Sequence, residues 1–423
     1  MPSRYYQRVA PWLRSCAIGA AALALLGACQ TLRSSANPEV PLWVHRPSGS
    51  MELAYSRTIL ADSRDVGEPY ERGQPELDIV NRRVFVGSRD WGLYALNAGD
   101  GSVLWRFETL GPSQSEPLYD SRENALYFGS NDGALYKVNA DDGRLLWRFA
   151  TNAEVARRPV LVKDVIYAVN ANDTVIALNA KTGAMLWAQH RQPALGMEVA
   201  GYAGPLVWRG LVYSAFSDGT VTAFDATTGE ERWAPVDLTA LAEQGMEEQP
   251  TYLDVDTTPV PDVIDDQPVV FVASYEAGVY ALSADVGSRV WGNDTVLGAS
   301  ELLLWQQPSY TPKGGGPPIP ARKLLIVSTG TTGLWALDPV TGREIWRRPM
   351  PDGGASRAVP MMGTLMVSTT RQGLFIVSPL DGRIIDGIHT GDGFSMPPAV
   401  YGRRAYILSN HSRLLSIQVT PPT

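Results

Sequence analysis

Gly133-Ala134-Leu135-Tyr136-Lys137-Val138-Asn139-Ala140-Asp141-Asp142-Gly143-Arg144-Leu145-Leu146-Trp147 reads as two short strands joined by a tight turn. Leu135 to Asn139 is the first strand, and Arg144 to Phe149 is the second. Between them, Asn139 and the two aspartates supply side-chain caps, and Gly143 supplies the positive φ that a hairpin turn demands.

The hairpin recurs with Gly and Trp in register. Copies run from Gly92 to Trp105, Asp173 to Trp187, Gly219 to Trp233, Gly278 to Trp291 and Gly333 to Trp346. A further copy, Gly373 to Asp386, keeps its Leu374-Phe375-Ile376-Val377-Ser378 strand and Gly382 but has Asp386 in the Trp position. That blade is expected to pack less tightly at its rim. Ahead of each hairpin lies another apolar run, such as Val84 to Gly87 or Leu126 to Gly129. Ahead of that there is often a Pro-led strand, such as Pro117-Leu118-Tyr119 or Pro159-Val160-Leu161. Successive tryptophans are 42, 40, 46, 58 and 55 residues apart. Four short strands in about 40–50 residues make a propeller blade.

Ala405 to Leu408 and Leu414 to Ile417 supply the inner strands of an eighth unit that lacks an outer strand. Pro41-Leu42-Trp43-Val44-His45 has the look of that missing strand. The expected fold is therefore all-β: one eight-bladed propeller over residues 42–423, its last blade closed by both chain ends, with seven blades as the alternative. The repeated Trp is read as core. A large flat ring fills the wedge between neighbouring blades, and its burial is worth about 2–3 kcal/mol.

The first residues stand outside this pattern. Arg4, Arg8 and Arg14 precede an apolar stretch, Cys16 to Ala28, which is too short to span a bilayer and suits a signal peptide. It ends Leu26-Gly27-Ala28-Cys29, which resembles the lipobox of bacterial lipoproteins. The resemblance implies removal of residues 1–28, lipidation of Cys29 and a tether to residue 41; an ordinary signal peptide is the alternative. Gln30 follows, where an Asp would resemble an inner-membrane retention signal, so the expected location is the periplasmic side of the outer membrane. Loss of the three arginines takes the formal charge from −8 to −11. Such a surface argues against nucleic acid.

No catalytic motif stands out. Cys16 and Cys29 are the two cysteines of the chain, so the mature body has no thiol for a disulfide, a metal or catalysis. His45, His190, His389 and His411 are scattered without metal-ligand spacing. Asp262, Asp265 and Asp266 lack the spacing of a calcium loop and are read as solvated turn acids. Phosphate-binding loops and nucleophile elbows are absent. The expectation is no catalytic residue, no metal and no cofactor. Trp208 and Trp305 fall outside the repeat register; they either fill blades or lie exposed as a stacking surface.

The units resemble the PQQ-type propeller repeat, Gly-x-Leu-Tyr-Ala-Leu-Asp-x-x-x-Gly-x-x-x-Trp, over roughly residues 80 to 417. That repeat serves enzymes and scaffolds alike. The lipobox, the length and one local stretch, Asp254-Val255-Asp256-Thr257-Thr258-Pro259-Val260, resemble the BamB family, propeller lipoproteins of the outer-membrane β-barrel assembly machine. The resemblance implies a non-catalytic scaffold that binds the POTRA domains of the barrel-inserting protein, with Asp254 and Asp256 among its contacts; the same acids could instead only cap a turn. A second family contact, of the form Leu-x-Leu-Arg, maps to Met197-Glu198-Val199-Ala200 and lacks its Arg. The alternatives are a scaffold or ligand-binding propeller of another envelope complex, and a PQQ-dependent dehydrogenase. Two insertions, Pro235 to Gln249 and Tyr310 to Pro320, are read as surface loops.

Overall fold

The computed structural model describes residues 48–60, 70–193, 203–242, 254–311, 317–350, 354–371 and 373–421. They form eight four-stranded antiparallel sheets. In chain order, blades one to seven span Glu76–Glu108, Leu118–Ala150, Val160–His190, Leu206–Asp237, Val260–Asn293, Ala299–Arg348 and Val359–Ile388. Blade eight takes three strands from the C-terminal end, Ala399–Tyr401, Arg404–Leu408 and Arg413–Val419, and its outermost strand, Met51–Thr58, from the N-terminal side. Among the described residues, no helix is long and apolar enough to cross a membrane.

The eight buried apolar clusters are the eight interfaces between blades. One holds Phe85, Leu93 and Ala95 of blade one against Leu126, Phe128 and Tyr136 of blade two. The last joins Tyr406, Leu408 and Leu414 of blade eight to Val84, Val86, Tyr94 and Leu96 of blade one, so the ring closes through a core like the others. Inner strands are buried on both faces, because each sheet is covered on both sides by its neighbours.

The repeated hairpin explains its own residues. Gly183 donates its N–H to the Asn179 carbonyl at 2.8 Å, and Asn179 Oδ1 accepts from the backbone of Lys181 and Thr182. A bulge between Ala177 and Leu178 sets Trp187 opposite Ala177, and the same bulge recurs in the other Trp-bearing blades. Each indole then reaches the turn of the next blade. Trp105, Trp147, Trp187, Trp233, Trp291 and Trp346 donate Nε1–H to Ala140, Ala180, Ala226, Ala284, Pro339 and Pro379 carbonyls over 2.9–3.3 Å. The ring also lies on the turn glycine: a Cβ on Gly183, whose φ is +72°, would meet the Trp147 ring at 2.8 Å. Glycine is therefore demanded twice, by backbone conformation and by the neighbouring indole.

The closing blade corrects the sequence reading. The outer strand is Met51–Thr58 and not Pro41–His45, which lies outside the described residues. Tyr55 takes the Trp position, after a bulge between Leu53 and Tyr55. Its hydroxyl donates to Ala98 O at 3.4 Å, and its ring packs on Gly101 as an indole does elsewhere. A match to the Trp pattern therefore pointed to the wrong segment.

Asp386 finds its reason in the same place. It holds the Trp register in blade seven, opposite Ile376. Its neighbour is blade eight, where the third and fourth strands come from opposite ends of the chain, so no turn exists for an indole to cover. Asp386 Oδ2 instead accepts the N–H of Ser50 at 2.5 Å, the N–H of Met51 at 3.2 Å and the Ser48 hydroxyl at 3.3 Å. The expected loose rim is replaced by a buried carboxylate clasp on the incoming strand, with Asp386 only 2% exposed.

The antiparallel order gives the ring two unlike faces. On one, the turn face, lie the turns between first and second strands and between third and fourth strands. On the other, the mouth face, lie the links between blades and the second-to-third turns.

Candidate functional site

The links between blades converge on the axis at the mouth face, around a cavity of about 260 Å³. Its charged lining is Arg72, Arg157 and Arg357 with Glu116, Glu154, Asp256 and Glu301. These side chains pair across the axis. Arg157 Nη1 meets Glu301 Oε1 at 2.5 Å, Arg357 meets Glu116 at 3.6 Å and Arg72 meets Glu154 at 3.9 Å. Behind them Arg158 grips both oxygens of Glu76 at 2.7 and 2.8 Å, tying blade three to blade one.

The stretch Asp254 to Val260 leads into blade five, and the structure assigns most of its residues a job. Val255 is buried and donates its N–H to Phe216 O at 3.2 Å. Thr257 is fully buried; its hydroxyl donates to Ala273 O and accepts Ala273 N–H, both at 2.9 Å. Thr258 Oγ1 accepts the Gly204 N–H at 2.9 Å, tying the preceding link to this one. Pro259 is buried and Val260 begins the innermost strand.

Asp254 and Asp256 have different exposures. Asp254 is 5% exposed, whereas Asp256 is half-buried and lines the axial cavity. The Asp256 carbonyl accepts Arg157 Nη2–H at 3.0 Å. Oδ1 of each carboxyl is buried without a hydrogen-bond partner. Burial first, then the Asp254 carboxyl, push the Asp256 acid up to about 8. Asp256 thus tends to hold its proton near neutrality, and with Asp254 buried behind it the two are not a pair of free surface charges. Burial likewise pushes the Glu154 carboxyl up.

Met197 and Val199 lie outside the described residues, as does Cys29. The segment carrying Met197 and Val199 belongs to the link between blades three and four, so it starts and ends on the mouth face. Of the two insertions, the first contains a short helix, Leu238–Ala242, on that same face, and 243–253 are outside the description. The second leaves the turn face, with Tyr310 bridged to Ile319.

Two other readings change. Asp262 is not a solvated acid: it is 8% exposed and pairs with Lys323 at 2.5 Å. Asp265 and Asp266 are exposed turn residues, with φ of 47° and 64°. Trp305 is buried in the core between blades six and seven, and Trp208 packs half-buried between blades four and five. Among the described residues, no group of three or more His, Cys, Asp or Glu side chains could hold a metal ion.

The profile of a family described as outer membrane protein assembly factor BamB matches residues 89–302 and 298–420. The chain belongs to the BamB family. BamB from Moraxella catarrhalis superposes with a TM-score of 0.65 at 17% identity, over 87% of this chain and 99% of that one. Two further solved structures resemble it in fold. The computationally designed Ika8 protein has a TM-score of 0.60 at 11% identity, over 84% of this chain and 98% of that one. The quinohemoprotein alcohol dehydrogenase ADHIIG from Pseudomonas putida HK5 has a TM-score of 0.61 at 15% identity, over 89% of this chain and 77% of that one. At such identities the likeness to each is one of fold. No curated protein matches the sequence significantly.

The sequence reading missed Glu116, Arg157, Glu301 and Arg357. They come from three links and, for Glu301, the start of the innermost strand of blade six, far apart in the chain, and form no motif. Three of them share a weak signal: Glu116, Arg157 and Arg357 sit within three residues of a proline at or just before the start of an innermost strand (Pro117, Pro159, Pro360).

Proposed function

We propose that this protein is a non-catalytic scaffold of outer-membrane β-barrel assembly. In this reading Cys29 carries lipid on the periplasmic side of the outer membrane, and the mouth face binds the POTRA domains of the barrel-inserting protein. Family membership supports the role, and one observation supports the site. Asp256, Thr258 and Gly204, which lies in the described end of the link between blades three and four, meet at the mouth face, where the Thr258–Gly204 bond joins the two links. A rigid ring presents such links at fixed positions, which suits a docking platform. Asp254, being buried, acts by holding Asp256 in place, while Asp256 faces the partner.

The axial arginines lend no support to a charged cofactor, since each is already closed by an acid of the same rim. The test uses Asp256→Ala and Asp254→Asn, alone and together, with capture of the barrel-inserting protein from envelope extracts. Capture should fall with Asp256→Ala while the thermal transition is retained. Undiminished capture by folded variants rejects the site. Saturable quinone binding with Ca²⁺ and dye-linked oxidation would instead favour a dehydrogenase.

A further inference from the structure

The two faces of the ring differ in their exposed apolar side chains. Among the described residues, all the exposed large apolar side chains but Tyr70, Leu110 and Leu297 lie at the turn face. They occupy turns or the first residues of outer strands. The densest run is on blades one to three, whose outer strands begin Val103-Leu104, Leu145-Leu146 and Met185-Leu186, each side chain 40–57% exposed. Blade four has Glu231-Arg232 at the equivalent place, so the run is a property of three adjacent blades and not of the repeat. Exposed apolar side chains repeated on neighbouring blades of one face point to a contact region.

The chain leaves the ring at the same face. Met51 pairs with Val419 at the turn end of blade eight, which packs directly on blade one. The segment from Cys29 to Ser48 reaches roughly 65 Å at most when fully extended, so an anchor at Cys29 holds the ring near its bilayer. The acidic net charge, −8 for the full sequence and −11 without residues 1–28, makes apolar contact, rather than attraction to anionic headgroups, the means of binding.

We propose that the turn face lies against the phospholipid surface that holds Cys29, with the outer-strand starts of blades one to three in contact, so that the mouth face points away from the bilayer. The proposal rests on the lipid-anchor reading above, and it explains why the mouth face stays open to a protein partner. Once Cys29 is acylated the mature chain has no free thiol, so a single introduced cysteine can carry a fluorophore. The full lipidated protein is reconstituted in phosphatidylcholine vesicles that contain a spin-labelled lipid quencher. Labels at Leu104→Cys and Leu146→Cys should lose most of their fluorescence, and one at Leu110→Cys should lose little. A triple Leu104→Ser, Leu146→Ser, Leu186→Ser change on a Cys29→Ser background should weaken vesicle binding at least about tenfold, as expected from three lost aliphatic contacts. Failure to float with the vesicles shows that the anchor is wrong, and the proposal falls with it. Flotation with equal quenching at both faces leaves the anchor standing and overturns the proposal alone.

Discussion

Asp386→Trp restores the repeat residue in blade seven, and by pattern alone it ought to stabilise the ring. The structure leads to the opposite expectation. Asp386 accepts the N–H groups of Ser50 and Met51 and the Ser48 hydroxyl, all from the strand that closes blade eight and its approach. An indole there has no turn glycine beneath it and no turn carbonyl to receive its N–H. Losing two charge-assisted backbone bonds costs roughly 3 kcal/mol, and leaving the Ser50 N–H buried without an acceptor adds about 1 kcal/mol or more. The effect is local first, since Met51–Thr58 is an outermost strand held on one side by Arg413–Val419. Hydrogen exchange at Met51–Thr58 should rise by roughly a thousandfold, up to the limit set by global unfolding, with smaller changes in blades two to five. Asp386→Asn keeps an acceptor without the charge and should raise exchange by about tenfold. An Asp386→Trp variant whose closing strand exchanges as slowly as the parent would refute the clasp.

Three further outcomes follow from the same geometry. Gly183→Ala places a methyl against the Trp147 ring at 2.8 Å and forces a φ of +72° on a residue with a Cβ, so urea unfolding should show a loss of about 2–3 kcal/mol. Thr257→Val keeps the shape but strips both hydroxyl bonds to Ala273; the loss should be about 2–4 kcal/mol, read as a lower denaturation midpoint. Asp256 holds its proton to about 8 in the folded chain, against roughly 4 in the unfolded one. The folded state thus binds more protons across that window, and this group's stabilising effect is lost as pH rises through it, by at most about 1.4 kcal/mol per unit. Asp256→Asn should flatten the slope of stability against pH; an unchanged slope would show that Asp256 does not hold its proton in the folded chain.

The architecture was legible because it is written several times over. Each copy of the Gly-to-Trp hairpin encodes the same bulge, the same indole-to-carbonyl bond and the same glycine seat, so chance matches are outvoted. Legibility failed where the repeat is used once. Blade eight accepts Tyr55 for Trp, since a phenol can also reach the Ala98 carbonyl, and no pattern built on Trp finds it. Asp386 looked like a defect because the missing turn beside it is a consequence of ring closure, which no local window contains. Asp262 reads as a loop acid until Lys323, from the next blade, is brought beside it. At the mouth the limit was of another kind. The motif at Asp254–Val260 was visible, yet its burial and its coupling to Arg157 and Glu301 depend on a link and a strand about 100 and 45 residues away in sequence, and on the ring that brings them together.

The most direct test of the central claim is site-specific photo-crosslinking in intact cells. A photoreactive residue replaces Tyr70 on the mouth face or Leu104 on the turn face, both exposed. The account predicts that Tyr70 yields an adduct with the POTRA-bearing barrel-inserting protein and that Leu104 does not. An adduct with that protein from Leu104 alone, or from neither position, would contradict it.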